Sequence, residues 1–264
     1  AGNDGLVSVG LRRVDLWRWR EDGRRDDHDV VVEEAALALS YNGLAHAVMM
    51  ATPKDLEDYA FGYSLHEGIV AHADELRFIG VDGRDDGLVI ELAIPQARFD
   101  LLASRTRRTL GNSACGLCGS EALIEALPRS PSVTPIDIEP AQIVRALSHF
   151  ADLQALNAAS GGAHAAAWCV GDEIRLLRED VGRHNAFDKL GGALARAGID
   201  AGAGYAIVSS RASYELVHKA AMAGIGTLVA ISAPTSAAID GAKRCGLRLI
   251  GFARDGAMNI YADI

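Results

Sequence analysis

Cysteine is scarce in this chain, with four in 264 residues, too few for a fold held by disulfides. Long apolar runs are missing too. A run such as residues 44–51 falls far short of the roughly 20 residues of a membrane helix. There is no surplus of positive charge: 26 Lys plus Arg against 35 Asp plus Glu leave a net charge of −9. That balance argues against a protein that grips nucleic-acid phosphates by displacing counterions. Neither a Walker-type G-x-x-x-x-G-K-[ST] nor a Rossmann G-x-G-x-x-G occurs, so any nucleotide is bound without those loops. The stretch Ala1-Gly2-Asn3-Asp4 has no basic region and no apolar core, and no export signal is expected there. What remains is an ordinary globular composition, 49% hydrophobic and 23% charged, in a length that suits one large domain or two small ones.

Residues 1–29 are charged and read as an irregular N-terminal segment, with weak alternation over 11–19. Residues 30–51 read as strand, turn, strand about Asn42-Gly43, because both residues tolerate positive φ. Thr52-Pro53-Lys54-Asp55 predicts a helix start: Thr52 as the cap, Pro53 in the first turn, Asp55 at the positive dipole end. Leu56, Tyr59, Ala60 and Tyr63 give that helix one apolar face, and Gly68 is its stop. Two strands are expected near 76–81 and 88–94.

Pro128, Pro131 and Pro135 mark a linker, since prolines so close together do not run through a helix or central strand. It separates an N-terminal α+β subdomain, 30–127, from a C-terminal α/β subdomain, 136–264. In the latter, helices are expected at about 140–155, 183–197, 213–223 and 236–245. Strands are expected at 163–170, 205–209, 227–231 and 247–252. That alternation predicts a mostly parallel sheet with flanking helices.

Cys115-Gly116-Leu117-Cys118 is the first candidate site. Flanking glycines let a bulky partner approach either sulfur, and Ser120 suits the cap of a following helix. A thiol ahead of a helix N-terminus has a lowered pKa, and Arg105, Arg107 and Arg108 lie upstream. The pair is open to redox or sulfur-transfer chemistry, to metal binding, or to an incidental role. A structural zinc lacks its second ligand pair here. The zinc deaminase pattern fails as well, because Ala114 stands in place of proline and no H-x-E precedes it.

The second candidate is Asp180-Val181-Gly182-Arg183-His184-Asn185 and the helix it opens. By pattern alone this is a solvated helix capped by Asp180, with Arg183, His184, Asp188 and Lys189 off its apolar stripe. The functional alternative is a phosphate or ring contact by the helix N-terminus, Arg183 and His184. His164, just after Ser160-Gly161-Gly162, taken alone reads as a core histidine. Three segments follow the carboxyl ends of expected strands: Ser209-Ser210-Arg211-Ala212-Ser213, Ser232-Ala233-Pro234-Thr235-Ser236 and Gly251-Phe252-Ala253-Arg254-Asp255-Gly256. Ligands of open α/β sheets sit at that edge, and hydroxyl-rich loops leading into helices suit an anionic, nucleotide-like ligand.

Read in order, these segments resemble the FdhD family of formate dehydrogenase accessory sulfurtransferases. The resemblance rests on Met49-Met50-Ala51-Thr52-Pro53-Lys54-Asp55-Leu56, Leu65-His66-Glu67-Gly68-Ile69, the C-x-x-C, and Glu179-Asp180-Val181-Gly182-Arg183-His184 with Asp188-Lys189-Leu190. The three strand-end segments extend it, and it spans about residue 30 to Tyr261. It implies a cytoplasmic sulfur carrier that takes persulfide sulfur from a cysteine desulfurase. The sulfur passes to the bis-molybdopterin guanine dinucleotide molybdenum cofactor, bound as substrate and destined for formate dehydrogenase. Cys115 would carry the persulfide, with Cys118 as the second loop cysteine. A homodimer and a cytidine-deaminase-like C-terminal fold without its zinc are implied too. So is a guanine-dinucleotide contact on Phe252, Ala253, Arg254, Asp255, Gly256 and Ala257, joined by Arg183, His184, Ser210, Arg211, Ser232 and Thr235. Many relatives have Gly-Gly-Arg or Pro-Gly-Arg where this chain has Asp255-Gly256-Ala257, which leaves Arg254 as the phosphate partner. Ala35 stands where proline is common. The alternative is a chaperone that binds and inserts the cofactor without covalent sulfur transfer.

Overall fold

The computed structural model describes residues 8–111 and 130–263, with side chains described to residue 104 in the first stretch. Cys115, Cys118 and the expected helix after Ser120 lie outside the described residues. Among those described, twelve strands form three sheets. Strands β1 (Leu11–Arg20) and β2 (Gly23–Val32) make a hairpin of their own. The expectation of an irregular start is therefore corrected. Charges hid the strand period, but across the ribbon they pair: Arg18 meets Asp27, and the Arg24 guanidinium lies 3.2 Å from the Trp17 ring centroid.

The four-stranded sheet has the order β4-β3-β6-β5, with β3 (Ala35–Tyr41), β4 (Leu44–Ala51), β5 (Arg77–Arg84) and β6 (Gly87–Ala93). Asn42 and Gly43 take positive φ in the β3–β4 turn. The Asn42 side chain also pairs with both backbone groups of Ile94. Helices α1 (Leu56–His66) and α2 (Gln96–Gly111) follow β4 and β6. Leu37, Leu39, Ile90 and Leu92 of the sheet meet Tyr59, Ala60 and Tyr63 of α1 and Leu102 of α2 in one core.

Thr52 does not cap α1. The helix starts three residues later than expected, behind Asp55 in a left-handed conformation. Thr52 instead accepts the Val181 amide on Oγ1 and donates its own amide to Asp180. A tertiary contact outbids the local cap.

The six-stranded sheet has the order β12-β11-β10-β9-β7-β8. Its strands are β7 (His164–Val170), β8 (Glu173–Asp180), β9 (Tyr205–Val208), β10 (Thr227–Ala230), β11 (Arg248–Arg254) and β12 (Ala257–Ala262). Only β9–β10 and β10–β11 pair parallel, while the β7–β8, β7–β9 and β11–β12 pairs are antiparallel. The expected mostly parallel sheet is thus a mixed one. Strand β8 was hidden by its charges after the turn Gly171-Asp172, and the short β12 by its weak alternation after the turn Asp255-Gly256.

Helix α3 (Pro140–Phe150) ends before the expected 155, and a short α4 (Ala155–Ser160) follows. Ile143, Ala146 and Phe150 of α3 cover one face of the sheet. The other face carries α5 (Arg183–Arg196), α6 (Tyr214–Met222) and α7 (Ser236–Cys245), through Phe187, Leu190, Leu194, Leu216 and Ala238. Among the described residues no helix is long and apolar enough to cross a membrane.

The two cores meet at α1 and α5. A β-carbon on Gly62 would stand 1.7 Å from the Asp188 carbonyl oxygen, and one on Gly192 1.8 Å from that of Asp58. The backbones touch, and Arg178 and Arg196 close the contact on the buried Asp58 carboxylate. Helix α5 is therefore not the solvated helix its charges suggested: Asp188 and Lys189 are buried. Nor does Asp180 cap it, since Gly182 is the cap residue. Asp180 pairs with Lys189 at 2.6 Å, both side chains fully buried. We expect Gly192→Ala to cost about 3 kcal/mol or more, because backbone cannot yield to the new methyl group. Urea unfolding of the variant against the parent measures it.

Candidate functional site

The loops after β9, β10 and β11 lie side by side along one rim of the sheet. Ala212 bridges Pro234, the Ala212 amide donates to Ala233, the Thr235 amide to Ala212, and the Phe252 amide to Ser232. Ser210, Arg211, Ser232 and Thr235 are thereby brought together. Thr235 Oγ1 is engaged in capping α7, and buried Ser210 donates to the Arg211 carbonyl. The stretch from Phe252 is not a loop. Phe252, Ala253 and Arg254 end β11, Asp255 and Gly256 turn with φ of 54° and 73°, and Ala257 opens β12. Ala253 is buried, so the polar group of that strand end is exposed Arg254, its guanidinium 5.6 Å from the Phe252 ring centroid.

Strand β7 runs against β9, which brings its first residue, His164, to the same rim. There its Nδ1 lies 3.2 Å from Ser209 Oγ. Arg183 and His184 arrive on the first turn of α5, behind Gly182, which has no side chain to satisfy the helix's open amides. Arg183 Nε is buried with no hydrogen-bond partner among the described residues. Burial and the Arg183 charge hold His164 below the ordinary histidine pKa. The same two causes lower His184, against the pull of Glu215, whose carboxylate is 2.8 Å from His184 Nε2. The result is an unspent guanidinium donor, neutral imidazoles and a bare helix N-terminus, an arrangement suited to an anion.

Beside this rim, α1, α5 and α6 enclose a buried polar array. His66 Nδ1 lies 2.6 Å from Asp188 Oδ1, and Lys219 Nζ donates to both Asp188 oxygens at 2.8 and 3.1 Å. Burial works against the Asp188 carboxylate, but the Lys219 ammonium and the His66 bond outweigh it and keep it ionised. For His66 burial prevails, so the ring stays neutral. Lys219 also reaches Glu67 at 3.3 Å.

Of the four cysteines, Cys169 and Cys245 are buried. Burial pushes the Cys169 thiol up to about 12 and raises Cys245 as well. Neither is a thiolate near neutral pH.

The FdhD/NarQ family model matches residues 32–264. The chain belongs to this family. It is 50% identical over 237 residues to the protein named Sulfur carrier protein FdhD of Xanthomonas euvesicatoria pv. vesicatoria, covering 89% of this chain and 84% of that one. The Cupriavidus necator protein of the same name is 46% identical over 250 residues, covering 93% and 86%. In fold the chain is similar to a Desulfotalea psychrophila protein described as a formate dehydrogenase accessory protein, with a TM-score of 0.74 over 96% of both chains at 20% identity. The ribbon β1–β2 lies almost wholly outside the stretch that the family model matches.

Lys219 was not selected by sequence reasoning, Asp188 was read as part of a solvated helix face, and His66 and Asp188 otherwise entered only within matching segments. One signal was available: Lys219 falls three residues after Leu216, on the apolar face of α6. A charge at such a position needs a buried partner.

Because His66 is held neutral, its folded pKa lies below the ordinary value near 6.5. Its contribution to stability is then complete above about pH 6.5 and lost as pH falls below it, by up to about 1.4 kcal/mol per pH unit. We expect the unfolding midpoint to drop on acidification from pH 7 to 5, and the slope to flatten in His66→Gln. Urea titrations at several pH values test this.

Proposed function

We propose that this chain is a sulfur carrier serving formate dehydrogenase. The Cys115 thiolate attacks the outer sulfur of a cysteine desulfurase persulfide, and the desulfurase thiolate leaves. Cys115 then presents the outer sulfur to the molybdenum of bis-molybdopterin guanine dinucleotide, the bound substrate. Attack of the Cys118 thiolate, the resolving thiol, on the inner sulfur forms a Cys115–Cys118 disulfide and releases the outer sulfur at the sulfide level. The observation that carries this reading is the distribution of the cysteines. Cys169 and Cys245 are buried with raised pKa, which leaves the glycine-flanked pair for nucleophilic work. The relatives' shared name, Sulfur carrier protein FdhD, agrees.

The rim supplies the second half of the task. Arg183, the open N-terminus of α5, the Ser232 and Thr235 hydroxyls and Arg254 are donors for the diphosphates of the guanine dinucleotide, with Ser210 and His184, already bonded to Arg211 and Glu215, shaping the rim beside them. Holding the cofactor there raises the effective concentration of molybdenum at the carrier sulfur. A homodimer in the cytoplasm and a cytidine-deaminase-like origin of the C-terminal half belong to the same reading. The helix-covered β9–β10–β11 core is compatible with the last of these, and the other two follow from the resemblance alone.

Incubated with a cysteine desulfurase and cysteine, the protein is expected to gain about 32 Da, one sulfur atom, on Cys115. Cys115→Ala loses both the adduct and formate dehydrogenase maturation, while Cys169→Ala keeps them. Intact-protein mass spectrometry and formate dehydrogenase activity in a complemented deletion strain provide the readouts. Full maturation by Cys115→Ala overturns the assignment. Tight cofactor binding without any adduct would turn the reading to a chaperone.

A further inference from the structure

A cleft of about 780 Å³ opens where the two halves meet, between α1, α6 and the first turn of α5. Volumes of this order accommodate a small ligand or a partner's side chain. One wall is aromatic: the Tyr214 and His218 rings, one helical turn apart, stack with planes 8° from parallel and centroids 6.4 Å apart. Tyr63, Met49 and Met222 line the cleft with it. Two carboxylates stand exposed at its rim, each held at one oxygen, Glu67 by Lys219 and Glu215 by His184.

The charges decide what the cleft can hold. Its lining carries three carboxylates, Glu67, Asp188 and Glu215, against one ammonium, Lys219. The histidines add nothing near neutral pH, because burial lowers His66, His184 and His218 alike. A phosphate-bearing ligand would meet Glu67 and Glu215. A planar cation meets carboxylate, aromatic faces and thioethers together.

We propose that this cleft is a docking pocket for an arginine side chain on a basic segment of a partner protein. The guanidinium stacks on the Tyr214–His218 wall and pairs through two parallel N–H groups with Glu67. Its aliphatic stem lies along Met49 and Met222. Lysine fits less well, since a compact ammonium neither stacks nor pairs in a fork. His184 belongs both to this cleft and to the anion-suited rim, so a partner seated here would stand next to the rim. The inference does not depend on the sulfur-carrier reading.

The test titrates the full chain with acetyl-Gly-Arg-Gly-amide and with its citrulline counterpart, which keeps the shape and loses the charge, followed by NMR. The arginine peptide should shift Tyr214 and His218 resonances and bind at least about tenfold more tightly than the citrulline peptide. Glu67→Gln, exposed and outside the cores, should weaken the arginine peptide about tenfold with thermal unfolding unchanged, and Tyr214→Ala, whose ring also packs on Gly241, should weaken it as much at a temperature where the variant remains folded. Equal binding of the two peptides, no binding of either, or indifference to both variants overturns the proposal. So does occupation of the cleft by GMP in preference to the arginine peptide. Persulfide formation on Cys115 is measured separately, so either reading can fail without the other.

Discussion

The close crossing of α1 and α5 is the constraint on which the rest depends. Gly62 and Gly192 bring each backbone against the other's carbonyl oxygens, and the edge of the His66 ring abuts Gly191. Helices usually pack 8–10 Å apart, with side chains between them. Here two facing glycines remove that layer, so α1 is buried on the sheet side by its tyrosines and on the α5 side by bare backbone. The two cores become one structural unit. Every shared feature follows from this: the Asp58 contacts with Arg178 and Arg196, the His66–Asp188 pair, and the cleft between the halves.

Close approach leaves no room for water, so polar groups at the crossing must satisfy one another. They do so in three sets. Asp58 takes Arg178 and Arg196; Asp180 takes Lys189, the Thr52 and Gly182 amides and Asn185; Asp188 takes His66 and Lys219. Buried pairs of this kind add little net stability over apolar packing but are costly to break. Here they fix geometry. Asp180 lies at the end of β8 and engages the cap residue of α5, so the position of Arg183 and His184 follows from a core ion pair. The rim that would receive an anion thus stands on groups that are themselves buried and satisfied.

Much of the local structure was legible. Asn42-Gly43 turns where its backbone freedom allows, and Gly68, Gly224 and Gly246 take positive φ just past their helices. Ser213 and Thr235 cap the helices they precede. These features depend on residues within a few positions of one another. The misreadings share another cause. Thr52 looked like a cap and serves a contact 129 residues away. The charges of α5 looked solvated and are half core. Strands β1, β2 and β8 are rich in charge because each lies at a sheet edge or in an isolated ribbon, where one side meets water; β12, at the other edge, is uncharged but lacks a clear apolar alternation.

By itself the sequence determined the glycine-flanked cysteine pair, the hydroxyl caps, the order of β7, β9, β10 and β11 and of the longer helices between them, and family membership. All of these are properties of adjacent residues or of their order along the chain. Only the tertiary structure decided which charges are buried, which histidines are held neutral, and that His164, Arg183 and the strand-end loops share one rim. Burial and electrostatic pairing depend on distance in space. Asp58 with Arg178 and His66 with Asp188 lie more than a hundred residues apart along the chain, where no local period or spacing reports on them.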